Sequence, residues 1–312
     1  MSLESRIAGM DALAARFAVA RRPHPLLLVH RIDDELNRRL RSAAALYIAQ
    51  CLPGRRTFGP DDEDALLAAL VTDAEDIPNL TPNGMLVPKR HTVLEYNLLV
   101  RAIADVVSAL GIADRIQSWH IPANLRVKFP EASAANLVRH HPTEHIHSDS
   151  WAGESSESVT LHLPIFGDVA GNHVRFFEPP ADFAEDWLRP LPTYAAGADI
   201  AARYASLDFV PAKGEAILAD FAMLHASSRL PGAGPRVSVD TTFALRRTAS
   251  HRESERIHPW RENERASHDV LAGIGETHLL FFPDRADTQV DSQGGFKHPS
   301  NLRLLELREG SA

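Results

Sequence analysis

Glu144-His145-Ile146-His147-Ser148-Asp149 sets histidine and aspartate side chains at alternate positions of a short β-prone run. Alternate side chains of a strand emerge on one face, so an imidazole and the Asp149 carboxylate can converge on one point. His145 and His147 share that face, and either can partner Asp149. A third donor must come from elsewhere. His225 is well placed, because it ends the apolar run 216–224, which reads as a core strand and its continuation. Two histidines and one carboxylate on one face of an octahedral metal leave three positions open, which suits non-haem iron. Structural zinc prefers a closed tetrahedral set, and the chain has a single cysteine, Cys51, which excludes a cysteine-based zinc site and an internal disulfide.

Further along, Arg236-Val237-Ser238 alternates a guanidinium and a hydroxyl onto one face of the run 236–245. A guanidinium fork can hold a carboxylate through two parallel hydrogen bonds, and a hydroxyl can add a third. Residues 226–235, with the turn Pro231-Gly-Ala-Gly-Pro235, are long enough to connect His225 to Arg236 as a hairpin. Other β-prone runs fall at 124–129, 158–166, 173–177 and 215–221, with Gly, Pro and Asp clustered between several of them. The first third reads differently. A short apolar run, 26–29, precedes Asp33 and Asp34, good N-cap residues for a helix carrying Leu36, Leu40, Ala43 and Tyr47. Further helices are expected over 61–70 and 92–110, the latter stopped by Gly111, with a loop over 79–88.

At 312 residues and 44% hydrophobic composition the chain can bury a substantial core. Its net charge of −8 argues against a general nucleic-acid binder. No apolar stretch reaches membrane-spanning length, and the first residues lack a signal-peptide core, so a cytoplasmic protein without membrane attachment is expected. The expected fold class is α+β with a mainly β core over 119–246, supported by a mainly helical 1–118 and followed by a polar extension, 247–312, suited to act as a lid. The oligomeric state is not readable.

Taken together, His147-x-Asp149, a distal His225 and Arg236-x-Ser238 resemble the iron(II)/2-oxoglutarate-dependent dioxygenase superfamily, across about residues 119–246. Pro211-Ala-Lys-Gly214 resembles the family's lead-in to the last metal-ligand strand. The long interval between Asp149 and His225 is closer to the phytanoyl-CoA-hydroxylase-like branch than to the penicillin-synthase-like one. The resemblance implies a double-stranded β-helix, the jelly roll also found in cupins. It implies that His147, rather than His145, joins Asp149 and His225 on iron(II), and that Arg236 and Ser238 hold the far carboxylate of 2-oxoglutarate. Arg126 falls where many members contact cosubstrate or substrate. An ordinary salt bridge is the alternative for it. Oxidation of a small polar metabolite by dioxygen, with succinate and carbon dioxide as coproducts, would follow. An acid at 149 disfavours halogenation. His145, Trp151, Asn172 and Arg175 are candidate substrate contacts, while His162, between Leu161 and Leu163 on an apolar strand, reads as a satisfied barrel residue, an inward orientation near the cosubstrate being the alternative. The alternatives are a cupin-like metal enzyme without 2-oxoglutarate and a non-catalytic metal-binding β-barrel.

Overall fold

A computed structural model describes residues 2–16, 18–54, 56–121, 123–132, 140–245, 265–283 and 302–307. Four helices precede most of the strands: α1 (Leu3–Ala14), α2 (Asp34–Cys51), α3 (Glu63–Thr72) and α4 (Val93–Ala109). Asp33 caps α2 as its residue type suggests, its carboxylate accepting from the Glu35 and Leu36 amides at 2.9 and 3.3 Å. Leu40, Ala44, Tyr47 and Ile48 then bury one stripe of the helix. α4 runs until Gly111, whose φ of +69° is the left-handed stop that glycine adopts without strain.

The strands are β1 (Arg21–His24), β2 (Leu27–Arg31), β3 (Met85–Leu86), β4 (Ile116–His120), β5 (Asn124–Lys128), β6 (Ser158–Gly167), β7 (Asn172–Glu178), β8 (Ala205–Ser206), β9 (Glu215–Asp220), β10 (Leu224–Arg229), β11 (Arg236–Leu245), β12 (Arg265–Ala266), β13 (His278–Phe281) and β14 (Arg303–Glu306). Nine form a large antiparallel sheet in the order β1-β2-β9-β6-β11-β4-β12, with β5 also beside β11 and β3 beside β5. A smaller antiparallel sheet has the order β10-β7-β8, and β13 pairs with β14. The fold is thus a mixture of helix and antiparallel sheet.

The central strands β5, β6 and β11 of the large sheet are apolar on one face and polar on the other. Leu125, Val127, Leu161, Leu163, Val237, Val239 and Phe243 join the helices in one buried cluster. Tyr47 of α2 and Tyr96 of α4 fasten that layer, donating to the Leu86 and Ala123 carbonyls. The intervening residues, Arg126, Lys128, Thr160, His162, Arg236, Ser238, Asp240 and Thr242, alternate onto the opposite face. The small sheet covers that polar face: Phe176 of β7 meets His162 of β6 edge-on, centroids 5.6 Å apart.

Four expectations need correction. Residues 144–149 form no regular strand; only His147 bridges, and Asp149 opens a 3-10 turn, Asp149–Ala152. His225 does not end a long strand, because the chain leaves the large sheet after Asp220, turns, and re-enters in the small sheet as β10. Segment 226–235 is therefore no hairpin: β10 pairs with β7, while β11 pairs with β6, β5 and β4. A crossover places His225 and Arg236 on facing sheets. The loop expected over 79–88 contains β3. Much of 247–312, including the turn expected at Gly294-Gly295, lies outside the described residues. No described helix is long and apolar enough to cross a membrane.

Candidate metal centre

His147 and His225 are placed by their backbones. Each amide donates to the other's carbonyl, at 2.9 and 2.8 Å, and this one bridge sets the two imidazoles side by side with centroids 4.3 Å apart. Ser148 then turns the chain, donating through Oγ to the Phe221 carbonyl at 3.0 Å. The turn brings Asp149 Oδ1 to 3.8 Å from Nε2 of both histidines, and the three ligand atoms lie within 4.8 Å of one another. The second carboxylate oxygen accepts from Thr160 Oγ1 at 3.2 Å, which ties the site to β6. His147 Nδ1 lies 2.7 Å from the His145 carbonyl, a contact that requires the proton on Nδ1 and leaves the Nε2 lone pair facing the cluster. Burial, reinforced by His225, holds the His147 imidazole well below its ordinary value, so it stays neutral and able to ligate. Tyr194 stacks on its ring, centroids 4.0 Å apart.

The donor set fits a divalent transition metal. Two imidazole nitrogens and one carboxylate oxygen converge, and no fourth histidine, cysteine or acid joins them among the described residues.

Arg236 is buried at 2% exposure, and neither Nε nor Nη2 has a hydrogen-bond partner among the described residues. Burial, with Arg126 and Arg229 nearby, lowers its pKa to about 10 against the pull of Asp240, which leaves it charged at neutral pH. A buried cation with two idle donors is costly unless an anion occupies them. Ser238 lies two residues along the same face, also buried. Arg126, by contrast, forms a fork–fork pair with Asp240 at 2.9 and 3.0 Å and donates to the Asn83 carbonyl. Its Nε and Nη2 are thus engaged within the protein. Lys128 donates to Thr143 and Glu144, and Arg229 also reaches Glu144. Burial and the Arg126 charge bring the Lys128 amine down to about 7.

The candidate substrate contacts scatter. The His145 side chain is exposed, and its carbonyl is the part that serves the site. Trp151 is fully buried with Phe177, Tyr194 and Leu224, donating from Nε1 to the Trp187 carbonyl at 2.6 Å. Asn172 is buried and joins the Lys128 and Gly234 carbonyls. Arg175 is exposed, over the Phe177 ring and bonded to Ser206. Two residues near the ligands escaped the sequence reading. Tyr194 falls in an irregular stretch that carries no periodic signal, whereas Thr160 could have been found by carrying alternation along β6.

No protein-family model matches the chain, and no curated protein matches it. Among solved structures it is similar to the non-haem α-ketoglutarate-dependent epimerase SnoN from nogalamycin biosynthesis, with TM-score 0.40 and 12% identity over 81% of this chain and 92% of that one. EctD from S. alaskensis, solved with 2-oxoglutarate and 5-hydroxyectoine, gives 0.37 and 15% over 84% and 83%. An N-substituted L-amino acid dioxygenase from Burkholderia ambifaria gives 0.36 and 16% over 75% and 85%. Likeness this distant assigns neither chemistry nor substrate to this chain.

Proposed function

We propose that the chain is a non-haem iron(II)- and 2-oxoglutarate-dependent oxygenase that hydroxylates a small polar metabolite, built on a double-stranded β-helix whose halves are the two facing sheets. Residues 119–246 would be the working core and 1–118 its mainly helical support, with 247–312 an extension whose described part, 265–282, packs on α4. The observation that carries the reading is Arg236, a buried guanidinium with idle Nε and Nη2, on the polar face that also supplies Thr160 to the metal cluster. An exposed arginine would say nothing, but a buried one without an anion demands a ligand.

His147, Asp149 and His225 would hold the iron, and Arg236 with Ser238 the far carboxylate of the cosubstrate. Bound iron, 2-oxoglutarate and dioxygen supply oxidation of a C–H bond, with succinate and carbon dioxide released. The protein's part is geometric and electrostatic. The His145 carbonyl fixes the His147 tautomer, Thr160 fixes the Asp149 carboxylate, and the Tyr194 ring covers one face of His147. The Arg126–Asp240 pair keeps a second guanidinium from competing for the anion.

Anaerobic titration with iron(II) and 2-oxoglutarate tests this. A weak visible charge-transfer band that requires both is expected, lost in Arg236→Ala and retained in the surface control Arg175→Ala. Iron binding with no effect of 2-oxoglutarate would instead favour a cupin-like metal enzyme. No iron binding at all would refute the metal centre.

A further inference from the structure

His162 is a second unsatisfied group on the polar face. It is 7% exposed, and its Nε2 has no hydrogen-bond partner among the described residues. Its ring is held firmly, edge-on to Phe176 at 5.6 Å and to the His225 ring at 5.7 Å. A buried imidazole nitrogen without a partner is as uncommon as an idle buried guanidinium, and it costs free energy unless a ligand or water meets it.

Its place along the sheet gives the orphaned nitrogen a meaning. In the β6–β11 pair, Thr160 lies opposite Thr242, His162 opposite Asp240, Pro164 opposite Ser238 and Gly167 opposite Arg236. Thr160 marks the metal end, because it holds Asp149. Arg236 marks the other end. His162 is one two-residue step, about 6.7 Å of strand, from Thr160 in the direction of Arg236. Three buried nitrogens without partners among the described residues therefore lie on one interior face: Nε and Nη2 of Arg236, and Nε2 of His162. Asp240, the acid opposite His162, is engaged by both Arg126 and Asn124.

On the reading of this site as a 2-oxoglutarate site, we propose that His162 is a cosubstrate-binding residue, its Nε2–H donating to the same distal carboxylate that Arg236 grips. One carboxylate has room for all three donors, two from the guanidinium fork and one from the imidazole. The aromatic wall of Phe176 and His225 fixes the ring, so the donor is positioned before the ligand arrives.

The test is calorimetric binding to the full chain loaded anaerobically with iron(II) or manganese(II), with 2-oxoglutarate and 2-oxobutyrate as probes. The second keeps the metal-chelating end and lacks the distal carboxylate. His162→Phe is expected to weaken 2-oxoglutarate about tenfold, as loss of one hydrogen bond to a charged group does, and to leave 2-oxobutyrate within about twofold. His162→Gln, which restores a donor, is expected to recover most of the loss. Metal stoichiometry and thermal midpoint are measured beside each variant; should His162→Phe fail either, His162→Gln and His162→Leu carry the comparison. Unchanged 2-oxoglutarate affinity in His162→Phe overturns the proposal, as does an equal loss for both acids, which would place His162 at the metal end or in packing. Failure of the underlying reading looks different: the unmodified metal-loaded protein does not bind 2-oxoglutarate, or Arg236→Gln binds it unchanged.

Discussion

Arg6 offers a demanding test of how the N-terminal helix supports the centre. Its side chain is fully buried, and donates from Nη1 to Asp220 at 2.8 Å, from Nη2 and Nε to Glu185 at 2.6 and 3.0 Å, and from Nη2 to the Ser156 carbonyl at 2.9 Å. Asp220 closes β9 one residue before Phe221, whose carbonyl anchors Ser148 in the ligand turn. Arg6→Leu keeps the apolar stem and removes the charge, leaving two carboxylates in a pocket built for a cation. Breaking a buried pair from one side costs about 3–5 kcal/mol. At about 2 °C per kcal/mol for a chain of this size, the thermal midpoint should fall by roughly 6–10 °C at pH 7.5. The deficit should depend on pH in a defined sense. Burial already raises the Asp220 pKa despite Arg6, and without the guanidinium it rises further. The native variant then binds more protons than its unfolded chain from about pH 4 upward, so its stability declines as pH rises through that window. Thermal unfolding at pH 5.5 and 7.5 reads both effects, with Ser5→Ala on the exposed side of α1 as control. A shift below about 2 °C, or a deficit that grows on acidification, would refute the argument.

Thr160→Val keeps the shape of β6 and removes the hydroxyl that orients Asp149; iron(II) affinity should fall about tenfold by anaerobic titration, with the melting temperature nearly unchanged. Gly197→Ala would drive a methyl group into the Trp151 ring and should cost about 1–3 kcal/mol in denaturant unfolding, although the glycine's φ of −91° would itself accept alanine. For Lys128, an amine near 7 in the folded chain against about 10.4 unfolded means that the unfolded chain holds the extra proton between those values. Stability should therefore rise with pH across that window, and Lys128→Met should flatten the slope in unfolding measured at pH 7 and 9.

The parts of the fold most legible in sequence are those that local pattern dictates. β11 matches its expected run, 236–245, because polar and apolar residues alternate from Arg236 to Asp240 and β-prone residues continue to Leu245, in a strand that is mostly buried. The start of α2 is legible for a similar reason, since an N-cap is a property of one residue and the next three. In residues 144–149 the His-x-Asp alternation points to a strand, whereas the convergence comes from one backbone bridge followed by a 3-10 turn. Neither contact is encoded nearby: the bridge is to His225 and the Ser148 anchor is Phe221. The apolar run before His225 hid a change of sheet, because residues buried in either sheet are equally apolar.

Arg126 shows why the polar face itself resisted reading. Sequence alone offered two roles, cosubstrate contact or salt bridge, and nothing within β5 chooses between them. The choice lies in Asp240, which continues the alternation of Arg236 and Ser238 by one step and neighbours Arg126 through the pairing of β5 with β11. Once Asp240 takes Arg126, the buried charges divide. One guanidinium is neutralised within the protein, while Arg236 is left with donors that no described residue fills. Interchanging their surroundings makes the point testable: Asp240→Asn should release Arg126 and create a second anion-seeking cation on the same face. Binding of 2-oxoglutarate should then lose its strict dependence on Arg236, so Asp240→Asn/Arg236→Gln should bind more tightly than Arg236→Gln alone. If the double variant is no better, Arg126 cannot reach the anion, and Asp240 holds the strands together without deciding which arginine serves the site.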